Sequence, residues 1–94
     1  MPSTPMPKFP VGQIVATPGA VAAFPESFLT ECFQKHSSGD WGDTPKEDAK
    51  MNNEAMTTGD RIMSSYKLGS KKLWVITEGE GPDRVTTFLL PSDY

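Results

Sequence analysis

The apolar residues of this chain change their period once, at Gly59, and that change restricts the fold more than any other feature. Before it, Phe28, Leu29, Cys32, Phe33 and His36 recur at i, i+1, i+4, i+5 and i+8, the spacing of one helical face. After it, Ile62, Ser64, Tyr66 and Leu68 alternate with Arg61, Met63, Ser65 and Lys67, which is the two-residue period of a strand. Helices that precede strands rather than alternating with them define an α+β fold, with the helices packed on one face of an antiparallel sheet.

The punctuation supports this order. Gln13-Ile-Val-Ala16 is a short β-branched run stopped by Thr17-Pro18-Gly19, and it predicts one brief strand. Thr17 can cap, Pro18 suits a first helical position, and Pro25 closes the short helix that results. The next helix runs from Pro25 to about Ser37 and is ended by Gly39. Thr44-Pro45-Lys46-Glu47 has the composition of a capping box, so a further helix is predicted over 45–58, closed by Gly59. Its inward positions are Ala49, Asn52 or Asn53, and Met56, which obliges at least one asparagine to find partners inside the protein. Runs 61–68, 72–78 and 84–90, joined by short glycine-containing turns, predict a three-stranded antiparallel meander. Residues 1–10 hold Pro2, Pro5, Pro7 and Pro10 and read as a flexible arm, with Phe9 available to pack on the body, ahead of one domain over 11–94.

Charge is distributed unevenly. Residues 31–60 hold seven acids against three bases, a balance of −4, whereas residues 61–94 hold five bases against four acids, a balance of +1. A total of −3 argues against a surface driven by phosphate neutralisation, so direct binding of nucleic acid is not expected. Tyr66, Lys67, Lys71, Lys72, Trp74 and Arg84 do fall on or beside neighbouring strands, a pattern open to single-strand binding or to a solvated edge around a core tryptophan. No apolar run has the length of a membrane span, and the N-terminus lacks the basic start and apolar stretch of a secretory signal. The expected compartment is the cytoplasm. Cys32 has no second thiol to pair with and reads as a small core residue.

The chemistry-bearing residues gather in His36-Ser-Ser-Gly-Asp-Trp-Gly-Asp43, between the two longer helices. His36 lies at a helix C-terminus, which favours an imidazolium, and Asp40 is four residues on. Two readings are open. In one, His36 and Asp40 form an acid/base pair, with Arg61, Ser64 or Tyr66 stabilising an anion. In the other, His36 bonds the sheet, Asp40 caps the Trp41-Gly42 turn, and Trp41 is core. One histidine with Asp40 and Asp43 is a thin ligand set, so neither metal nor cofactor is expected. No nucleophile elbow, Walker loop, dinucleotide fingerprint or CxxC occurs.

His36-Ser-Ser-Gly-Asp-Trp-Gly-Asp43, Arg61-Ile-Met-Ser-Ser-Tyr66, Trp74-Val-Ile-Thr-Glu78 and Thr86-Thr-Phe-Leu-Leu-Pro-Ser-Asp-Tyr94 together resemble a family of small plasmid- and phage-associated bacterial proteins. Its members are labelled plasmid-related or "type I restriction endonuclease subunit M". The resemblance covers roughly residues 9–94 and implies a mobile-element setting, in which small acidic proteins of the anti-CRISPR and anti-restriction type antagonise host defence. A looser, architectural resemblance is to the barnase/EndoU/colicin/RelE group of small ribonucleases. It implies His36 as acid or base and Arg61 as phosphate ligand, although the chain lacks a second histidine.

The expectation is therefore an accessory protein that binds a host protein or nucleoprotein complex through Asp40, Asp43, Glu47, Asp48 and Glu54. The alternative is a small ribonuclease using His36, with Asp40, Arg61 and Tyr66 around it.

Overall fold

The structure is a computed structural model that describes residues 7–94. The chain runs β1 (Gln13–Ala16), α1 (Pro18–Ala23), α2 (Glu26–Ser37), α3 (Lys46–Thr58), β2 (Ile62–Leu68), β3 (Lys71–Glu78) and β4 (Val85–Leu89). Two single 3₁₀ turns, Gly81–Asp83 and Pro91–Asp93, follow β3 and β4. The class is α+β, as the change of period at Gly59 requires.

Strands β2, β3 and β4 form the antiparallel meander, and β1 adds to β4 in parallel, so the sheet order is β1-β4-β3-β2. The register pairs Ile62 with Thr77, Ser64 with Val75 and Tyr66 with Leu73, and then Thr77 with Thr86 and Val75 with Phe88. These residues share one face, and all of them are buried. Helices α1 and α2 cover that face, packing Ala20, Phe24 and Cys32 against Tyr66, Leu73, Val75 and Phe88. Burial pushes the Cys32 thiol up to about 11, which leaves it protonated and unreactive at neutral pH.

α3 departs from the predicted arrangement, because it rides along the β2 edge. Asn52, its buried asparagine, accepts from the Met63 N–H at 3.1 Å and donates to the Met63 carbonyl at 2.6 Å. A primary amide presents the same donor and acceptor as a peptide group, so Asn52 stands in for one residue of a neighbouring strand. Ala55, with Ala49 and Met56 beside it, closes a second apolar cluster around Phe9, Trp41 and Ile62.

The predicted capping box does not form. Pro45 is the N-cap and no side chain caps the helix. The Thr44 hydroxyl donates to the Trp41 carbonyl at 2.6 Å and accepts from the Ser65 N–H at 3.1 Å, so it ties the loop to β2 instead. Asp43 N–H completes the tie by donating to the Ser65 carbonyl at 2.7 Å. By contrast Thr17 does cap α1, accepting from Ala20 N–H at 3.2 Å with Pro18 in the first turn.

The arm expected over residues 1–10 falls partly outside the described residues. Met1–Met6 lie outside the described residues, but Lys8, Phe9 and Pro10 belong to the folded body. Lys8 N–H donates to the Ser37 carbonyl at 2.8 Å, and Phe9 is buried against His36 and Trp41. Proline denies a segment strand donors, yet it does not prevent its neighbours from filling a core.

Candidate functional site

His36 is fully buried on the last turn of α2. Its Nδ1 lies 2.5 Å from Ser64 Oγ and its Nε2 lies 2.8 Å from Thr77 Oγ1. The tautomer follows from the chain of hydroxyls beyond. Thr86 Oγ1 donates to the Val11 carbonyl at 2.7 Å, so it accepts from Thr77 across their 2.7 Å contact. Thr77 has then spent its proton and must accept from Nε2–H, which leaves Nδ1 to accept from the Ser64 hydroxyl. Both ring nitrogens are satisfied in the neutral form. Desolvation pushes the imidazole down to about 3, against the cationic form that the helix C-terminus alone would favour.

The acid/base pair is thus corrected by the structure. The exposed Asp40 carboxylate turns back to accept from Gly42 N–H at 3.2 Å, closing the Trp41-Gly42 turn. Tyr66 is buried and donates its hydroxyl to the Asp40 carbonyl at 2.8 Å, and burial raises its pKa. Trp41 is core, with Nε1 donating to Asn53 Oδ1 at 2.9 Å. Arg61 lies on the opposite face of the sheet from His36, so His36, Asp40, Arg61 and Tyr66 share no pocket.

The single-strand pattern also disperses. Tyr66 faces the helices, and Arg84 is buried, holding three backbone carbonyls. Lys71 donates to the Ala23 carbonyl, and Lys67 lies 3.9 Å from Asp43. Among the described residues there is no cluster of three or more His, Cys, Asp or Glu suited to a metal ion, and no helix long and apolar enough to cross a membrane.

What the fold does assemble is a cleft of about 520 Å³ where α3 meets the uncovered face of the sheet. Asp43, Asp48 and Met51 line it from α3 and the loop before it, Met63, Ser65, Lys72 and Trp74 form the floor from β2 and β3, and Arg61 lines it from just before β2. The period of two explains the floor, because Met63, Ser65 and Trp74 alternate with the residues buried under α1 and α2. The C-terminus supports the cleft from outside. Tyr94 meets the Trp74 ring edge-on at 5.7 Å, and its hydroxyl accepts from Arg61 Nη2 at 2.7 Å. Tyr94 therefore folds back onto the sheet, while remaining 70% exposed.

Two of the five acids expected to bind a partner, Asp43 and Asp48, line this cleft, and Arg61 joins them from the catalytic set. Asp40, Glu47 and Glu54 are exposed but lie off it. Met51, Met63, Lys72 and Trp74 were not legible as one site. Met51, an apolar residue 65% exposed on an otherwise polar helix face, was the available signal. Comparison with family models, with curated proteins and with solved structures finds no match.

Proposed function

We propose that this chain is a non-enzymatic accessory protein that grips a host protein in the cleft between α3 and the open sheet face. The observation that carries the reading is the composition of that cleft: methionine and tryptophan surfaces lined together with two acids, Asp43 and Asp48, and two bases, Arg61 and Lys72. An adaptable apolar surface with charges of both signs beside it suits a protein segment that inserts an apolar side chain and carries a flanking Lys or Arg. Phosphate backbones suit it poorly, because Asp43 and Asp48 line the same cleft as Arg61 and Lys72 and offset their charge.

The family resemblance adds a mobile-element setting, in which the partner belongs to a host defence or nucleic-acid-processing complex of the kind that anti-CRISPR and anti-restriction proteins antagonise. His36, on which the ribonuclease alternative rests, is sealed from solvent and neutral.

The test is a pull-down from a bacterial host, followed by titration of the captured protein. Wild-type protein retains one partner, whereas Asp43→Lys with Asp48→Lys, or Met51→Asp alone, weakens the complex by about tenfold or more. Recovery of no partner, or equal affinity in all three proteins, refutes the proposal.

A further inference from the structure

The two edges of the sheet are finished differently. At β2 the outward N–H and C=O of Met63 are bonded by Asn52, and those of Ser65 by Thr44 and Asp43. Over Met63–Ser65 that edge is closed to a further strand. At β1, Gln13 N–H donates to the Arg84 carbonyl and Thr17 N–H to the Phe88 carbonyl, both toward β4. Alternation along a parallel strand then turns the N–H and C=O groups of Ile14 and Ala16 outward, and no described residue pairs with them. Exposed edges of this kind are usually protected by charge, proline or a bulge. β1 has none of these within Gln13–Ala16.

We infer that β1 pairs antiparallel with β1 of a second copy of this chain, joining two four-stranded sheets into one of eight strands. Three observations favour a second copy over an unrelated strand. First, Phe9–Pro25 contains no charged residue, although the whole chain carries −3, so the paired strand edges set no like charges directly opposite one another; Glu26 is the one charged residue lining the groove beside them. Second, Ile14 and Val15 are 50% and 38% exposed, and Ile14 borders a largely apolar groove of about 320 Å³ between β1 and α2, lined by Leu29, Phe33 and Phe88 together with Glu26 and Thr30. The register of Ile14 with Thr86 places its side chain on the helix-covered face, where a second Ile14 would extend the floor of that groove.

Third, the register closes on itself. A two-fold axis at Val15 sets Ile14 opposite Ala16 of the second copy and Ala16 opposite Ile14. Both are then hydrogen-bonded pairs, which the outward direction of their N–H and C=O groups demands, and Val15 faces Val15 as the close, non-bonded pair between them. Four residues span only about 13 Å of edge, so the association is concentration-dependent rather than permanent.

The test is sedimentation velocity and amide exchange on the full chain over a range of concentrations. Wild-type protein shifts from monomer toward dimer as concentration rises, and exchange at Ile14 and Ala16 slows in step. Val15→Lys and Val15→Glu, each at a part-exposed position, keep the wild-type circular dichroism and raise the dissociation constant by about tenfold or more, because like charges meet at the axis. An equimolar mixture of the two recovers the dimer. A chain that stays monomeric with concentration-independent exchange at Ile14 and Ala16 overturns the inference. So does a dimer that Val15→Lys leaves intact, or a mixture that does not recover association.

Discussion

A histidine with both nitrogens occupied and no solvent contact is a stability element with a pH dependence of its own. His36 is neutral in the folded chain down to about pH 3, whereas in the unfolded chain it takes a proton near 6.5. Its contribution is therefore fully present above pH 6.5 and is lost progressively as pH falls toward 3, where the unfolded chain binds the extra proton. Between pH 6.5 and 4.5 that linkage amounts to roughly 2–3 kcal/mol, given 1.36 kcal/mol for each pH unit. The chain has one histidine, so its ring resonances need no assignment. In a proton NMR titration they hold the neutral position down to pH 4, and a midpoint near 6.5 would show that the ring reaches water. The sequence already offered the outcome in which His36 bonds the sheet. What it could not supply was the reason, since Ser64, Thr77 and Thr86 come from three different strands.

At the scale of the element, local chemistry was legible and its non-local competitors were not. Helical spacing over Phe28–His36, alternation over Ile62–Tyr66 and the Thr17 cap depend on neighbours within a turn or two, and each formed as read. Thr44 has the sequence of a cap, yet its hydroxyl goes to Trp41 and Ser65, the latter 21 residues away. The strand contact that diverts it also fixes Gly42. This glycine has φ +63, and a Cβ there would lie 2.4 Å from the Ser65 carbonyl oxygen and 2.6 Å from the Tyr66 ring. Gly59 has φ +84, but a Cβ there meets nothing within 4 Å. Gly59→Ala should therefore cost only the left-handed strain, about 1–2 kcal/mol. Gly42→Ala adds displacement of β2 or of Tyr66, for about 3–5 kcal/mol in total. Urea unfolding of the two variants separates these cases. Equal midpoints would mean that the loop does not sit against β2.

On the scale of the whole molecule, one residue holds together three segments that no local pattern connects. The Arg84 guanidinium is buried at the head of β4. Its Nε donates to the Pro10 carbonyl at 2.6 Å, and its Nη1 donates to the carbonyls of Gly59 and Gly79 at 3.1 and 3.0 Å. It thereby fixes the segment entering β1, the C-terminus of α3 and the turn after β3 with one planar group. Read as a strand-end cation, Arg84 looked like part of a surface, because its partners are carbonyls, which sequence composition does not reveal. The partial negative charge at the α3 C-terminus favours a cation there, and the fork of N–H donors lets one side chain reach several acceptors where an ammonium on a flexible stem does not. Arg84→Lys keeps the charge but gives up that fork, and Arg84→Met keeps the stem and leaves all three carbonyls without their donor. Each should lower stability by about 2–4 kcal/mol, with Met at the upper end, because buried groups left unpaired bear their full desolvation cost. Amide exchange should rise together at the start of β1, around Gly59 and across Gly79–Arg84, while α2 and the centre of β3 stay protected. A rise confined to one of the three segments would show that they are held independently, and that the order of the fold around β1 does not depend on this residue.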